Sequence, residues 1–229
     1  MTTENNELAE AVAAWLHYKE LTGLRGLLNE ASMTLPIAEY LAAKHGKEVK
    51  GEVNHPLFKT ESRGRPKQID FVRMRAGENA WLSAYECKFS TLNQALIVQD
   101  LCRLVCLSQS RETIGTPDRF FLYSGEMKDG SLLKSSQFNT GEGERRSFFG
   151  GLLSEDRDDP NISFRIDSLH PNQRRRFIEF AKANKAKLPS VVESHLSGWA
   201  VSGKIACAIW RVTQSRGSIL LSSEQMCDE

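Results

Sequence analysis

The chain should fold as an α/β layer in which helices lie against a central mixed sheet. Three observations predict this. Apolar residues recur at helical spacing through the first 45 positions, two alternating aromatic stretches joined by RAGEN follow, and the helical period then returns before a further aromatic strand. With 229 residues, the chain fits one elaborated domain or a domain with an appendage. We read residues 1–124 as the N-terminal helices and core, and 125–229 as a C-terminal α/β extension packed on that same core.

Each element rests on its own pattern. Leu8, Ala11, Val12, Trp15 and Leu16 share a helical face between Glu7 and Glu20, and Gly23 interrupts it. A second helical stretch runs from about Leu24 to His45; Pro36 either kinks it or opens a fresh helix after Thr34. EVKGEVNHPLF alternates loosely and reads as a strand. KTESRGRPK is a basic loop, and QIDFVRMR and AWLSAYECKF form a hairpin. TLNQALIVQDLCRLVCLSQS has a broad apolar face suited to packing on a sheet, and DRFFLYS is a short strand. Residues 125–160, rich in Gly, Ser and charge, suggest a long loop. ISFRID and KIACAIWRVT read as strands, with a helix from Pro171 between them.

Composition excludes several classes. Thirty basic against 29 acidic residues leave a formal charge of +1, so any nucleic-acid surface must arise from local clustering. The polar, acidic start lacks the pattern of a secretory signal, and no segment approaches the ~20 apolar residues of a membrane span. A cytoplasmic protein with no membrane association is expected. The five cysteines, at 87, 102, 106, 207 and 227, read as reduced, buried thiols. GEGERRSFFGG lacks the lysine and hydroxyl of a phosphate-binding P-loop, the histidines lack zinc-protease spacing, and no G-x-S-x-G elbow occurs.

The informative stretch is AYECKFS, residues 84–90. In a strand, Glu86 and Lys88 share one face while Tyr85, Cys87 and Phe89 share the other. Asp70 sits in the preceding strand between Ile69 and Phe71, so the hairpin can bring it to Glu86. Two converging carboxylates form a hard oxygen site of the kind that holds Mg²⁺ while leaving waters on the ion. A neighbouring lysine can stabilise charge on a phosphate under attack or act on the attacking water. The plain alternative is an ordinary salt bridge on a solvated face, contributing ~0–1 kcal/mol.

Asp70 followed by Glu86-Cys87-Lys88, with a helix before and a helix after, resembles the PD-(D/E)xK, or restriction-endonuclease-like, nuclease superfamily over residues 24–124. Ile69 stands where the motif's name has proline. The resemblance implies a four-stranded mixed sheet flanked by helices, and a DNA endonuclease that uses Mg²⁺, with Mn²⁺ able to substitute. It implies metal ligation by Asp70, Glu86 and the Cys87 backbone carbonyl, and assistance from Lys88. A further acidic ligand is expected from the first helix: Glu30 is favoured, with Glu39 and the strand residue Glu52 as alternatives. Gln94, early in the helix after the motif, is the expected polar helper.

Arg63, Arg65 and Lys67 just before the Asp70 strand form the expected phosphate-binding segment. Arg174, Arg175 and Arg176 are consecutive and fan around their helix, which favours a solvated face. DNA is favoured over RNA as partner, and two-strand cutting would suit a homodimer or a protein partner held by the C-terminal region. The competing reading is an inactive nucleic-acid- or protein-binding module of the same fold.

Overall fold

The computed structural model describes residues 2–58, 67–90, 93–133, 137–139 and 145–226. Helix α1 (Thr3–Leu21) opens with Thr2, whose side chain accepts from the Asn5 N–H. Helix α2 spans Glu30–His45, after a single turn of 3-10 helix at Arg25–Leu27. Asn29 and Ser32 form a reciprocal capping box that fixes where α2 begins. Pro36 lies inside α2 without ending it, so the second helical stretch is one helix that starts later than its apolar pattern suggests.

The strands are β1 (Val49–Asn54), β2 (Gln68–Met74), β3 (Trp81–Phe89) and β4 (Asp118–Glu126), with helix α3 (Gln94–Cys106) and the short α4 (Arg111–Ile114) between the last two. The chain continues through β5 (Gln137–Asn139), β6 (Arg145–Ser147), β7 (Asn161–Arg165), helix α5 (Pro171–Asn184), β8 (Leu188–Pro189), β9 (Val191–Ser202), β10 (Ile205–Gln214) and β11 (Leu220–Leu221). The main sheet runs β1-β2-β3-β4-β10-β9-β7. All its neighbours are antiparallel except β3 and β4, which α3 connects as a parallel pair.

The expectation of an α/β layer on a mixed sheet holds, but the sheet has seven strands, not four. The additional three come from the C-terminal region, whose β10 pairs with β4 from Ile205↔Glu126 to Arg211↔Phe120. Strand β9 is absent from the sequence reading because serines interrupt the apolar pattern on both of its buried faces. Ser194 and Ser197 are buried, and their hydroxyls donate to the Leu152 and Ile209 carbonyls at 2.6 and 3.0 Å. Gly198 is required there: a Cβ would collide with the Asn5 carbonyl of α1.

Helices cover both faces. Leu8, Val12, Leu16, Met33, Ile37 and Leu41 of α1 and α2 pack on Phe71, Tyr85, Cys87 and Leu122. On the opposite face, α3 and α5 cover Val72, Ala84, Phe121, Ala208 and Trp210. Much of the expected 125–160 loop packs there too: Phe148, Phe149, Leu152 and Leu153 are buried, and Trp210 Nε1–H donates to the Ser154 carbonyl at 2.6 Å. Cys87, Cys102, Cys106 and Cys207 are buried free thiols, and Cys227 lies outside the described residues. No described helix is long and apolar enough to cross a membrane.

Candidate functional site

The β2–β3 ladder ends at the Phe71↔Tyr85 pair, although β2 begins at Gln68 and β3 continues to Phe89. Beyond that pair the strands part, and the Asp70 side chain enters the opening. Its Oδ2 accepts the Cys87 backbone N–H at 2.7 Å, which satisfies a donor that lost its ladder partner. Asp70 and Glu86 thus sit at one fork in the sheet, and the Asp70 charge is among those that disfavour ionisation of Glu86.

The face bearing Glu86 and Lys88 is not solvated. Helix α3 lies over it, so Glu86 is fully buried and Lys88 is 8% exposed. Nor are these two residues simply paired with each other. Lys88 Nζ lies 3.1 Å from Glu30 Oε1 and 3.1 Å from Asp100 Oδ2, and donates to the Cys87 carbonyl at 3.2 Å. Arg103 Nη1 approaches Glu86 Oε1 at 3.3 Å and donates to the Gln68 carbonyl at 3.0 Å, while Nη2 pairs with Asp100 Oδ1. Neither Glu86 oxygen has a hydrogen-bond partner among the described residues.

Electrostatics follow from this depth. Burial drives the Glu86 carboxyl well above the usual range, reinforced by Asp100 and Asp70 and only partly offset by Arg103 and Lys88. Burial likewise raises Asp70, against the Cys87 N–H and Lys88, and pushes Asp100 to about 6. For Lys88 burial acts downward, but Asp100, Glu30 and Asp70 outweigh it and hold the ammonium above its ordinary value. Four carboxylates against two cations leave a formal deficit of two positive charges.

Glu30 is the first residue of α2, and its exposed side chain reaches Lys88. Glu39 lies exposed on α2, and Glu52 is exposed on β1 with a left-handed backbone, φ +51°. Gln94 is half-buried at the first position of α3. The α3 residues that contact Lys88 and Glu86 include Asp100 and Arg103, which the sequence pattern does not single out. A signal for Asp100 existed: it continues the inward stripe of Ile97 and Leu104, three before and four after, both fully buried. A carboxylate at such a position needs a partner.

Lys67 is exposed immediately before β2, whereas Arg63 and Arg65 lie outside the described residues. His55 is buried. Its Nδ1 accepts the Leu57 N–H at 3.2 Å, so Nε2 carries the proton and donates to the Arg103 carbonyl at 3.0 Å. Comparison of the chain with protein-family models, curated proteins and solved structures found no match.

The donor set fits a small hard cation. The fork offers two carboxylates and a main-chain carbonyl, all oxygen, and the Glu86 oxygens are buried without hydrogen bonds. Among the described residues no cluster of three or more His, Cys, Asp or Glu side chains is arranged to hold a metal ion.

Proposed function

We propose that the chain is a metal-dependent nuclease of the PD-(D/E)xK type that hydrolyses phosphodiester bonds as a DNA endonuclease. The observation that supports this best is Glu86: a carboxylate withdrawn from water, with neither oxygen hydrogen-bonded, where two strands part beside a second carboxylate. Such a group is costly unless a cation meets it. The order of α2, antiparallel β1-β2-β3, α3 and parallel β4 also supports the reading.

Asp70, Glu86 and the Cys87 carbonyl would hold Mg²⁺ or Mn²⁺, with Glu30 the further acid. When bound, the ion would polarise the phosphate and lower the pKa of its water. Lys88 is kept charged by Asp100, Glu30 and Asp70, which suits it to stabilise negative charge on the phosphate rather than to remove a proton. Asp70 is oriented by the Cys87 N–H, so its remaining oxygen is directed without competition from that donor. Lys67, with Arg63, Arg65 and Gln94, would contact the nucleic acid.

Arg103 supports the second reading, an inactive binding module, because a guanidinium 3.3 Å from Glu86 supplies part of the missing positive charge. Purified protein incubated with plasmid, linear DNA and RNA, in Mg²⁺, Mn²⁺ or EDTA, separates the two. Metal-dependent cutting of plasmid that Lys88→Ala abolishes is the expected result. Nucleic-acid binding with no cutting in any metal would establish the inactive module, and preferential RNA cleavage would change the substrate class.

A further inference from the structure

Lys88 has two carboxylate partners of different character. Glu30 begins a helix and its side chain is 47% exposed, so water and counter-ions compete for it. Asp100 is fully buried in the middle of α3 and has no such competition. Its two oxygens are divided between two cations: Oδ2 forms an ion pair with Lys88 Nζ at 3.1 Å without hydrogen-bond geometry, whereas Glu30 Oε1 accepts a hydrogen bond from Lys88 at the same distance, and Oδ1 pairs with Arg103. Arg103 in turn spans Asp100, Glu86 and the Gln68 carbonyl, and its own main-chain carbonyl accepts from His55.

From this division we infer that Asp100 is the positioning residue of the site: it anchors the Lys88 ammonium from beneath and holds the Arg103 guanidinium beside Glu86. The inference rests on the nuclease reading for its catalytic consequence, but the anchoring itself is a property of the apo protein. Asp100 makes no hydrogen bond or ion pair with Asp70 or Glu86; its contacts are to Lys88 and Arg103, and its charge is felt at Glu86 through space. Removing its charge while keeping its volume frees Lys88 to follow Glu30 toward solvent. The ammonium then spends less time at the phosphate, so turnover falls while ground-state binding persists.

Two measurements on the full chain test this. In lysine-labelled protein, the Lys88 ammonium should give a slowly exchanging NMR resonance, assigned by its loss in Lys88→Arg. Asp100→Asn should broaden or remove that signal, and Glu30→Gln should leave it. In the cleavage assay, Asp100→Asn should lower kcat roughly tenfold to a hundredfold, as for loss of a charge-assisted contact. KM for DNA should change less than about threefold, since a merely structural role would move it together with kcat.

A Lys88 signal that survives Asp100→Asn and disappears in Glu30→Gln overturns the inference, as does an unchanged kcat in folded Asp100→Asn. Should Asp100→Asn fail to fold, Glu30→Gln decides alone: survival of the signal supports the Asp100 anchor and its loss overturns it. If the wild-type protein neither takes up Mn²⁺ nor cuts nucleic acid while the resonance still depends on Asp100, the anchor stands and the nuclease reading falls.

Discussion

Two ion clusters in this chain use the same residue types and behave as opposites. On α5, Arg175 and Arg176 both reach Glu179, at 3.5 and 3.0 Å. Around β3 and α3, Lys88 and Arg103 reach Glu30, Asp100 and Glu86 at similar distances. Yet the Glu179 side chain is 50% exposed, while Glu86 and Asp100 are fully buried. At the surface, water replaces any partner that is removed. In the interior nothing does, so each charge there depends on its neighbours.

The strongest way to break this contrast is Arg103→Met. It leaves Glu86 and Asp100 without their shared guanidinium, and removing one partner of a buried pair typically costs about 3–5 kcal/mol. Urea unfolding should show a loss of that size; a loss below about 1 kcal/mol would mean that water already reaches the cluster.

His55 gives the next effect, through pH. Burial holds its imidazole at about 4, below the ordinary 6.5, so between those values the unfolded chain binds a proton that the native state refuses. Stability is therefore fully retained above pH 6.5 and declines as pH falls toward 4, by about 3 kcal/mol at most. His55→Gln should flatten the slope of stability against pH in that window by about one proton relative to wild type. An unaltered slope would place the acid sensitivity elsewhere.

Glu86→Gln sharpens the comparison from the other side. It removes the buried negative charge instead of its partner, and Arg103 keeps Asp100 and the Gln68 carbonyl. Stability should change by less than ~1 kcal/mol or rise, because burying the carboxylate was itself unfavourable. Mn²⁺ uptake, followed by calorimetry, should disappear. Wild-type-like uptake would remove Glu86 from the proposed ligand set.

The sequence revealed the strand half of the site and only part of the helical half. Alternation alone puts Glu86 and Lys88 on one face and lets a hairpin carry Asp70 to them; Glu30 is favoured only through the family resemblance, and its place at the start of α2 comes from the structure. What alternation does not contain is depth. Whether Glu86 faces water or α3 depends on how α3 is rotated over the sheet, and its apolar face is broad enough to allow several rotations. The resemblance points to Gln94 as an early polar residue of that helix and carries no information on the depth of Asp100 and Arg103. Strand β9 was hidden for a related reason: Ser194 and Ser197 are polar by composition but buried through hydrogen bonds to carbonyls. The sheet therefore continues past the four strands that the family resemblance implies.

The smallest effect is expected on α5, and it completes the contrast. Glu179→Gln removes the shared partner of Arg175 and Arg176, the same kind of deletion as Arg103→Met but at an exposed position. Both arginines can turn to water, and the pairs are spaced three and four residues apart on one helix, where each is worth a few tenths of a kcal/mol. Unfolding free energy should fall by about 0.5 kcal/mol or less, and this loss should vanish in high salt, where surface pairs are screened. The Arg103→Met loss should persist under the same salt, because counter-ions do not enter a buried cluster. Equal salt sensitivity of the two variants would show that the β3–α3 cluster is wet and that Glu86 is solvated instead of depending on Arg103.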